Sequence, residues 1–135
     1  MKILAYFHRV LFHRCLLSLF SDFSGKTAHA AAAPWEGINA LDAAVACYNN
    51  VSMLRQQMKP TNRIHCTIVD GGERPNIIPE RAEMWYCTRA QKDKDNEKLI
   101  EQLRSCAEGA AQATGTTLFT SHYLPKSISL GIILL

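Results

Sequence analysis

A single histidine stands in a run of small residues in the first third of the chain. His29 lies in the stretch GKTAHAAAAPWEGINA, Gly25 to Ala40, where the alanines leave its imidazole with little steric cover. An imidazole so placed can donate or accept a proton, which is what acid–base catalysis requires. The residues alone also allow an exposed loop histidine or a local hydrogen-bonding cap.

Two further polar residues stand out. Asn76 lies between Pro75 and Ile77 in a connection rich in glycine and proline, and Arg89 lies near the end of an aromatic-rich segment. As structural residues, Asn76 would be a turn amide that satisfies its own backbone, and Arg89 would form a surface ion pair of small energetic value. Sequence spacing does not decide between these roles and a functional one.

No local motif supplies a complete catalytic centre. The sequence has no HxD, HExxH or paired CxxC spacing of the kind that holds zinc. The Gly71-Gly72 pair lacks the later glycine and lysine of a phosphate-binding loop. We therefore expect no metal site and no self-sufficient enzyme. One alternative is an enzyme whose zinc ligands come from the two ends of the chain: His8, His13, Cys15 and His122.

The composition is that of one folded domain. A chain of 135 residues, 47% hydrophobic and 20% charged, fits a single core of ordinary size. The formal net charge is +3, but the 15 lysines and arginines are scattered and do not interleave with aromatic residues, so we expect no nucleic-acid partner. The five cysteines are odd in number and form no CxxC pair, which predicts free thiols in a reducing compartment.

The first 24 residues are apolar but interrupted by basic side chains. Among these are His8, Arg9, His13 and Arg14, so no apolar run approaches the roughly 18 residues that a membrane span needs. We expect no membrane association and a cytoplasmic location. Because no acidic residue precedes Asp22, a mitochondrial presequence is the alternative.

Hydrophobic spacing predicts two helices. Apolar residues from Ile38 to Leu54 recur three and four apart, which predicts a helix that runs to about Met58, before Pro60. A second helix opens within the polar run 91–98, with Asp93, Asp95 or Asn96 as its cap, and ends at Gly115.

Three strands complete the pattern, and a fourth is needed. Residues 63–69, 81–90 and 116–123 have the β-branched, aromatic or alternating character of strands. If part of residues 15–24 supplies a first strand, the order becomes that of an α+β ferredoxin-like sandwich, a four-stranded antiparallel sheet with two helices on one face. Its uncovered face or an edge strand would then need a partner. We expect the domain to span residues 24–123, with 1–23 an unassigned segment that can replace the first strand and 124–135 an unassigned apolar tail.

Two stretches carry a family resemblance. GKTAHAAAAPWEGINALDAA and GGERPNIIPERAEMWYCTRA resemble the lid, or dimerisation, domain of the zinc metallopeptidase family M-twenty, which includes aminoacylase, carboxypeptidase G and succinyl-diaminopimelate desuccinylase. The segment PWEGINALDAAVACYNNVSMLRQQMKP is most similar to aminoacylase-like dipeptidases of that family. The resemblance runs from Ser24 to about Gly115.

The resemblance implies a role for each of the three polar residues. His29 matches the lid histidine that reaches into the active site of the partner subunit and steadies a carbonyl oxygen as negative charge develops on it. Asn76 matches the asparagine of an NxxP turn that helps bind the substrate near its carbonyl or carboxylate. Arg89 matches the strand-end arginine that binds the substrate carboxylate with its planar fork.

The resemblance also implies that the three residues act together with a separate catalytic domain. In the family, a catalytic domain that flanks the lid on both sides holds two zinc ions, and its metal-ligand segments are absent here. We therefore expect an isolated dimerisation domain that pairs with itself or with a full-length relative and is not catalytic alone. Zinc and the substrate, a small peptide or acyl amino acid, belong to the intact enzyme. The alternative is a non-catalytic protein that binds a small carboxylate or dipeptide through the same three residues.

Overall fold

The computed structural model describes residues 15–123, and these form a four-stranded antiparallel sheet covered by two helices. The strands of this sheet are β1 (Cys15–Ser24), β3 (Arg63–Asp70), β5 (Arg81–Ala90) and β6 (Thr117–Tyr123), in the spatial order β3-β5-β1-β6. The short strands β2 (Ala28–His29) and β4 (Ile77–Ile78) form a separate pair. The helices are α1 (Ala40–Leu54) and α2 (Asp93–Thr114). The predicted ferredoxin-like α+β fold is confirmed.

Strand β5 shows how the sheet defines the core. Its even-numbered residues from Ala82 to Ala90 are buried, while the residues between them are half-buried or exposed. Because side chains alternate across a strand, one face of the sheet packs on the helices and the other is open. Both helices approach that face through small residues, and the buried alanines are Ala40, Ala43, Ala44, Ala107, Ala110 and Ala111.

The helix ends follow the sequence only in part. Asn39 caps α1, since its Oδ1 accepts hydrogen bonds from the amides of Leu41 at 3.0 Å and Asp42 at 3.4 Å. Gly115 ends α2 with a φ of 73°, as predicted, because glycine adopts the left-handed region without strain. The predicted acidic or amide cap of α2 is wrong: Lys92 holds the cap position without a side-chain bond, and Asn96 is turned into the core.

The described part of the chain begins with the first strand of the sheet. Strand β1 comes from residues 15–24, the segment that the fold required, and it pairs with both β5 and β6. The sheet therefore begins before residue 24, the predicted start of the domain. The apolar tail 124–135 and the first 14 residues lie outside the described part of the chain. Between residues 15 and 123, no helix is long and apolar enough to cross a membrane.

Candidate functional site

A small two-stranded unit carries His29 and Asn76. Strand β2 (Ala28–His29) pairs with β4 (Ile77–Ile78), and His29 lies opposite Ile77. We call residues 25–39 and 71–80 the arm. It leaves the sheet where β1 ends and β5 begins, and the amide of Gly25 bonds the carbonyl of Glu80 at 2.7 Å. A Cβ at Gly25 would overlap the carbonyl oxygen of Ile38, so only glycine fits this crossing.

The alanine run is organised around His29. The amides of Ala31 and Ala32 both donate to Nδ1 of the imidazole at 3.2 Å. The amide of Ala33 donates to the carbonyl of His29 at 3.2 Å, and the amide of Ala30 donates to the carbonyl of Asn76 at 3.0 Å. Nδ1 thus acts as the local cap that the sequence allowed. The side chain is exposed, and Nε2 has no partner among the described residues.

Asn76 lies beside His29 in the arm. Its backbone is bonded to Ala30, but its exposed side-chain amide makes no hydrogen bond within residues 15–123. The structure therefore gives no support for a turn amide that satisfies its own backbone. It does bring Asn76 and His29 together, with both polar groups open to a ligand.

Arg89 lies at the opposite end of the sheet. It is exposed on the open face near the end of β5, eight residues after Arg81, which corresponds to about 26 Å at about 3.3 Å per residue. Arg63 stands directly opposite it on β3. Neither guanidinium meets a carboxylate among the described residues, and Arg63 donates instead to the carbonyls of Pro60 and Asn62. One chain does not bring Arg89 to His29.

The arm end of the sheet has the opposite charge. Arg81 contacts three carboxylates, those of Asp22 at 2.7 Å, Glu83 at 2.9 Å and Asp70 at 3.4 Å. The hydrogen bonds to Asp22 and Glu83 raise the pKa of Arg81, which keeps its charge. One cation among three anions leaves this end negative, whereas Arg63 and Arg89 leave the other end positive.

The described cysteines are free thiols, and two of them are made unreactive by burial. Cys47, Cys66, Cys87 and Cys106 are all free thiols, as predicted. Burial raises the pKa of Cys47 to about 11, although its Sγ lies 3.0 Å from the hydroxyl of Tyr86. Burial also raises the pKa of Cys66, and the nearby Arg55 only partly offsets it. Since the thiolate is the reactive form, neither thiol is set up as a nucleophile.

Residues 15–123 do not fit a zinc site. No group of three or more His, Cys, Asp or Glu side chains in that range could hold a metal ion. Of the alternative ligands, His8 and His13 lie outside the described residues, as do the side chains of Cys15 and His122.

A surface on α1 was missed by the sequence analysis. The apolar stripe predicted from Ile38 to Leu54 lies only partly in the core: Val51 is buried and Leu54 packs against the core, yet Val45 is 44% and Tyr48 40% exposed. The rest of the buried face of α1 consists of Ala40, Ala43, Ala44 and Cys47. The sequence did contain a signal for this exposed surface: α1 also carries a stripe of small residues, and a helix with two apolar faces presents one of them outward.

Comparison with known proteins identifies the family of this chain. A family model described as a peptidase dimerisation domain matches residues 12–114. The chain is 53% identical over 96 residues to the Xaa-Arg dipeptidase of Mus musculus, covering 71% of this chain and 22% of the relative. It is 34% identical over 111 residues to one of the subunits of the p-aminobenzoyl-glutamate hydrolase of Escherichia coli (strain K12), covering 77% and 23%. The chain thus spans less than a quarter of the length of these relatives.

The fold is shared with solved structures of low sequence identity. A hydantoinase/carbamoylase family amidase from Burkholderia ambifaria superposes with a TM-score of 0.74 at 16% identity, over 81% of this chain and 27% of that one. An aminobenzoyl-glutamate utilization protein from Klebsiella pneumoniae gives 0.69 at 23% identity, over 79% and 27%. These likenesses show the fold, and the family model with the closer relatives shows that the chain belongs to the peptidase dimerisation domain family of the M-twenty peptidases.

Proposed function

We propose that this lid pairs with a second lid and lends His29 and Asn76 to an active site completed by that partner. The observation that carries the proposal is the separation of the arm from Arg89 at opposite ends of one sheet. A lid that served one substrate from a single chain would hold these residues together. A lid that works across a dimer would hold them apart.

The edge formed by β3 and α1 supports such pairing. Strand β3 is an edge strand, and an unpaired strand edge can accept a further strand. The carbonyl of Ile64 accepts a hydrogen bond from Nε of Arg55 at 3.0 Å, so it points away from β5. By the alternation of an antiparallel strand, Cys66 and Ile68 also present their amides and carbonyls to the open side.

An apolar flank lies next to that edge. Ile68 is 38% exposed, and Gly71 lies against the side chains of both Ile68 and Leu41, at the start of α1. Further along α1, the Arg55 guanidinium stacks on the ring of Tyr48 at 5.6 Å and reaches Cys66. Strand edge and flank together offer backbone hydrogen bonds and apolar area, which are the two terms that stabilise an added strand.

Charge complementarity supports antiparallel pairing of two copies. Strand β3 begins at Arg63, in the positive end, and finishes at Asp70, in the negative end. When two copies of β3 lie antiparallel, the Arg63 end of each faces the Asp70 end of the other. Opposite charges across an interface favour the correct partner and orientation.

The same pairing would assemble one site from two chains. Neighbouring strands lie about 4.8 Å apart, so the Asp70 end of the second copy would lie about two spacings from Arg89. The arm follows directly after Asp70 in that copy. Arg89 of one lid and His29 with Asn76 of the other would then face a common space.

The chemistry of the three residues suits a substrate with a carbonyl and a carboxylate. Nε2 of His29 is free to donate a hydrogen bond to a carbonyl oxygen as it gains charge, and one such donor contributes about 10²- to 10³-fold in rate. Asn76 adds a second polar contact. Arg89 offers two parallel bonds to a carboxylate, which an amino acid or dipeptide supplies. Zinc would be held by the catalytic domain of the intact family, outside residues 15–123.

A complementation experiment tests the proposal. The mouse Xaa-Arg dipeptidase, with its counterpart of His29 replaced by alanine, is co-purified with this chain, and hydrolysis of an Xaa-Arg dipeptide is measured. The mixed pair should regain activity by about 10²-fold or more, and the His29→Ala chain should form the same pair without restoring it. Equal rescue by both chains would refute the role of His29, and failure to co-purify would refute the pairing.

Two alternatives for the partner and activity have support of their own. Two different subunits of the p-aminobenzoyl-glutamate hydrolase of Escherichia coli (strain K12) match this chain, which favours pairing with an unlike lid. Arg63 and Arg89, which meet no carboxylate among the described residues, favour a non-catalytic lid that only binds a small carboxylate. Calorimetry with a dipeptide separates the latter, since binding by this chain alone, lost in Arg89→Ala, would support it.

A further inference from the structure

The loop around His29 uses each of its backbone donors. The amides of Ala30 to Ala33 go to the Asn76 carbonyl, to Nδ1 twice and to the His29 carbonyl, and Pro34 has no amide hydrogen to place. Two of the four donors therefore converge on one imidazole nitrogen. A ring nitrogen that accepts hydrogen bonds carries no proton, so the proton of the neutral ring is on Nε2.

We propose that the amides of Ala31 and Ala32 are positioning groups that fix the tautomer and the direction of His29, so that Nε2–H is presented outward as a hydrogen-bond donor. The identity of the acceptor, a carbonyl oxygen that gains negative charge, rests on the proposed function. The tautomer itself does not rest on it, because both hydrogen bonds are made within one chain.

The ring direction follows from the same two bonds. A half-turn of the imidazole would replace Nδ1 by a carbon atom and leave two amides without their acceptor. The exposed ring is therefore held by its backbone bonds and not by packing. A donor that is oriented before the ligand arrives needs no reorganisation during the reaction, which is the physical basis of oxyanion stabilisation.

The arrangement around His29 also explains why alanine suits the neighbouring positions. Serine, asparagine or aspartate at these positions would offer its own side-chain acceptor to the local amides and compete with Nδ1. Alanine offers none and keeps the space around Nε2 clear. The side chains of Ala30 to Ala33 thus add no acceptor that competes with Nδ1 for the local amides.

Nitrogen chemical shifts test the tautomer directly. The full chain is labelled with ¹⁵N-histidine, and long-range ¹H–¹⁵N spectra are recorded near pH 8, with the His29 signals assigned by their loss in His29→Gln. We expect an unprotonated shift for Nδ1 and a protonated shift for Nε2. A proton on Nδ1, or an even average of the two tautomers, would overturn the proposal.

Two substitutions of His29 distinguish the acceptor role of Nδ1 from the donor role of Nε2. Asparagine places its Oδ1 near the position of Nδ1, and glutamine places its amide near Nε2. His29→Asn should keep the slow hydrogen exchange of the Ala31 and Ala32 amides, whereas His29→Gln should speed it about tenfold, the equivalent of one lost hydrogen bond. Faster exchange in His29→Asn than in His29→Gln would contradict the role of Nδ1.

The complementation assay then separates the two proposals. His29→Asn should restore no more activity than His29→Ala, because it lacks the outward donor, while His29→Gln should restore a part. Correct nitrogen shifts without any rescue by the unaltered chain would overturn the proposed function and leave the tautomer established. Rescue by the unaltered chain with the proton on Nδ1 would overturn the positioning role alone.

Discussion

Replacing Cys66 by proline removes one hydrogen-bond donor from the open edge of the sheet. The carbonyl of Ile64 faces Arg55 and away from β5, so the amide of Cys66, two residues on, also faces outward. Proline at this position breaks no hydrogen bond to β5, and proline is tolerated on sheet edges for that reason. The change should therefore act on association and not on the ladder within the lid.

The magnitude follows from the symmetry of the pair. A two-fold dimer loses the Cys66 amide in both copies, and a hydrogen bond contributes about 1 kcal/mol net. The loss is then about 2 kcal/mol, which weakens the dimer about 30-fold. Contact between the proline ring and the opposing strand would add to this value.

Sedimentation equilibrium over a concentration series measures the effect. Cys66→Ala is the matched control, because it removes the thiol and its contact with Arg55 at 3.6 Å but keeps the amide. Urea unfolding checks that the lid stays folded in both variants. If Cys66→Pro associates as tightly as Cys66→Ala, or if the unaltered chain is monomeric at micromolar concentration, the edge of β3 is not the interface.

Two other predictions use features away from the backbone edge. Arg63→Asp and Asp70→Arg should each weaken self-association, whereas a mixture of the two variant chains should associate, because opposite charges then face each other at both contacts. Native mass spectrometry of each variant and of the mixture measures this. Antiparallel pairing is refuted if each variant alone associates as well as the mixture. Asn96→Leu should raise the free energy of unfolding by about 1 kcal/mol, because neither polar atom of that buried amide has a hydrogen-bond partner among the described residues. Calorimetry measures the melting temperature, and a lower value in the variant would show that the amide is satisfied.

The sequence predicted best the elements whose pattern depends on neighbours along the chain. Strand β5 was predicted at its observed bounds because alternation and β-propensity agree there, and Gly115 marked a helix end that only glycine conformation explains. The stripe on α1 was only partly correct, since Val51 is buried but Val45 and Tyr48 are exposed, because periodicity does not say which of two apolar faces packs inward. Packing against β5, not the local pattern, favours the alanine face.

The arm could not be predicted because its strands are two residues long and far apart in sequence. The pairing of His29 with Ile77 depends on the crossing at Gly25 and on the amide bonds to Asn76, and none of these leaves a periodic trace. The three candidate residues were found through a resemblance, which carries residue identity and no distance. The separation of Arg89 from the arm therefore emerged only from the sheet register.

That separation makes association part of the proposed chemistry. If the lid served only to stabilise a larger enzyme, nothing would require an exposed imidazole held by two amides at one end and, at the other, two adjacent arginines that meet no carboxylate within residues 15–123. Arg63 and Arg89 repel one another across opposed strand positions, and at the other end Arg81 neutralises only part of the charge of three carboxylates. A second lid turned end to end brings the negative end to the arginines and the arm to Arg89. The charge pattern that opposes a solitary lid is then the pattern that orients a pair.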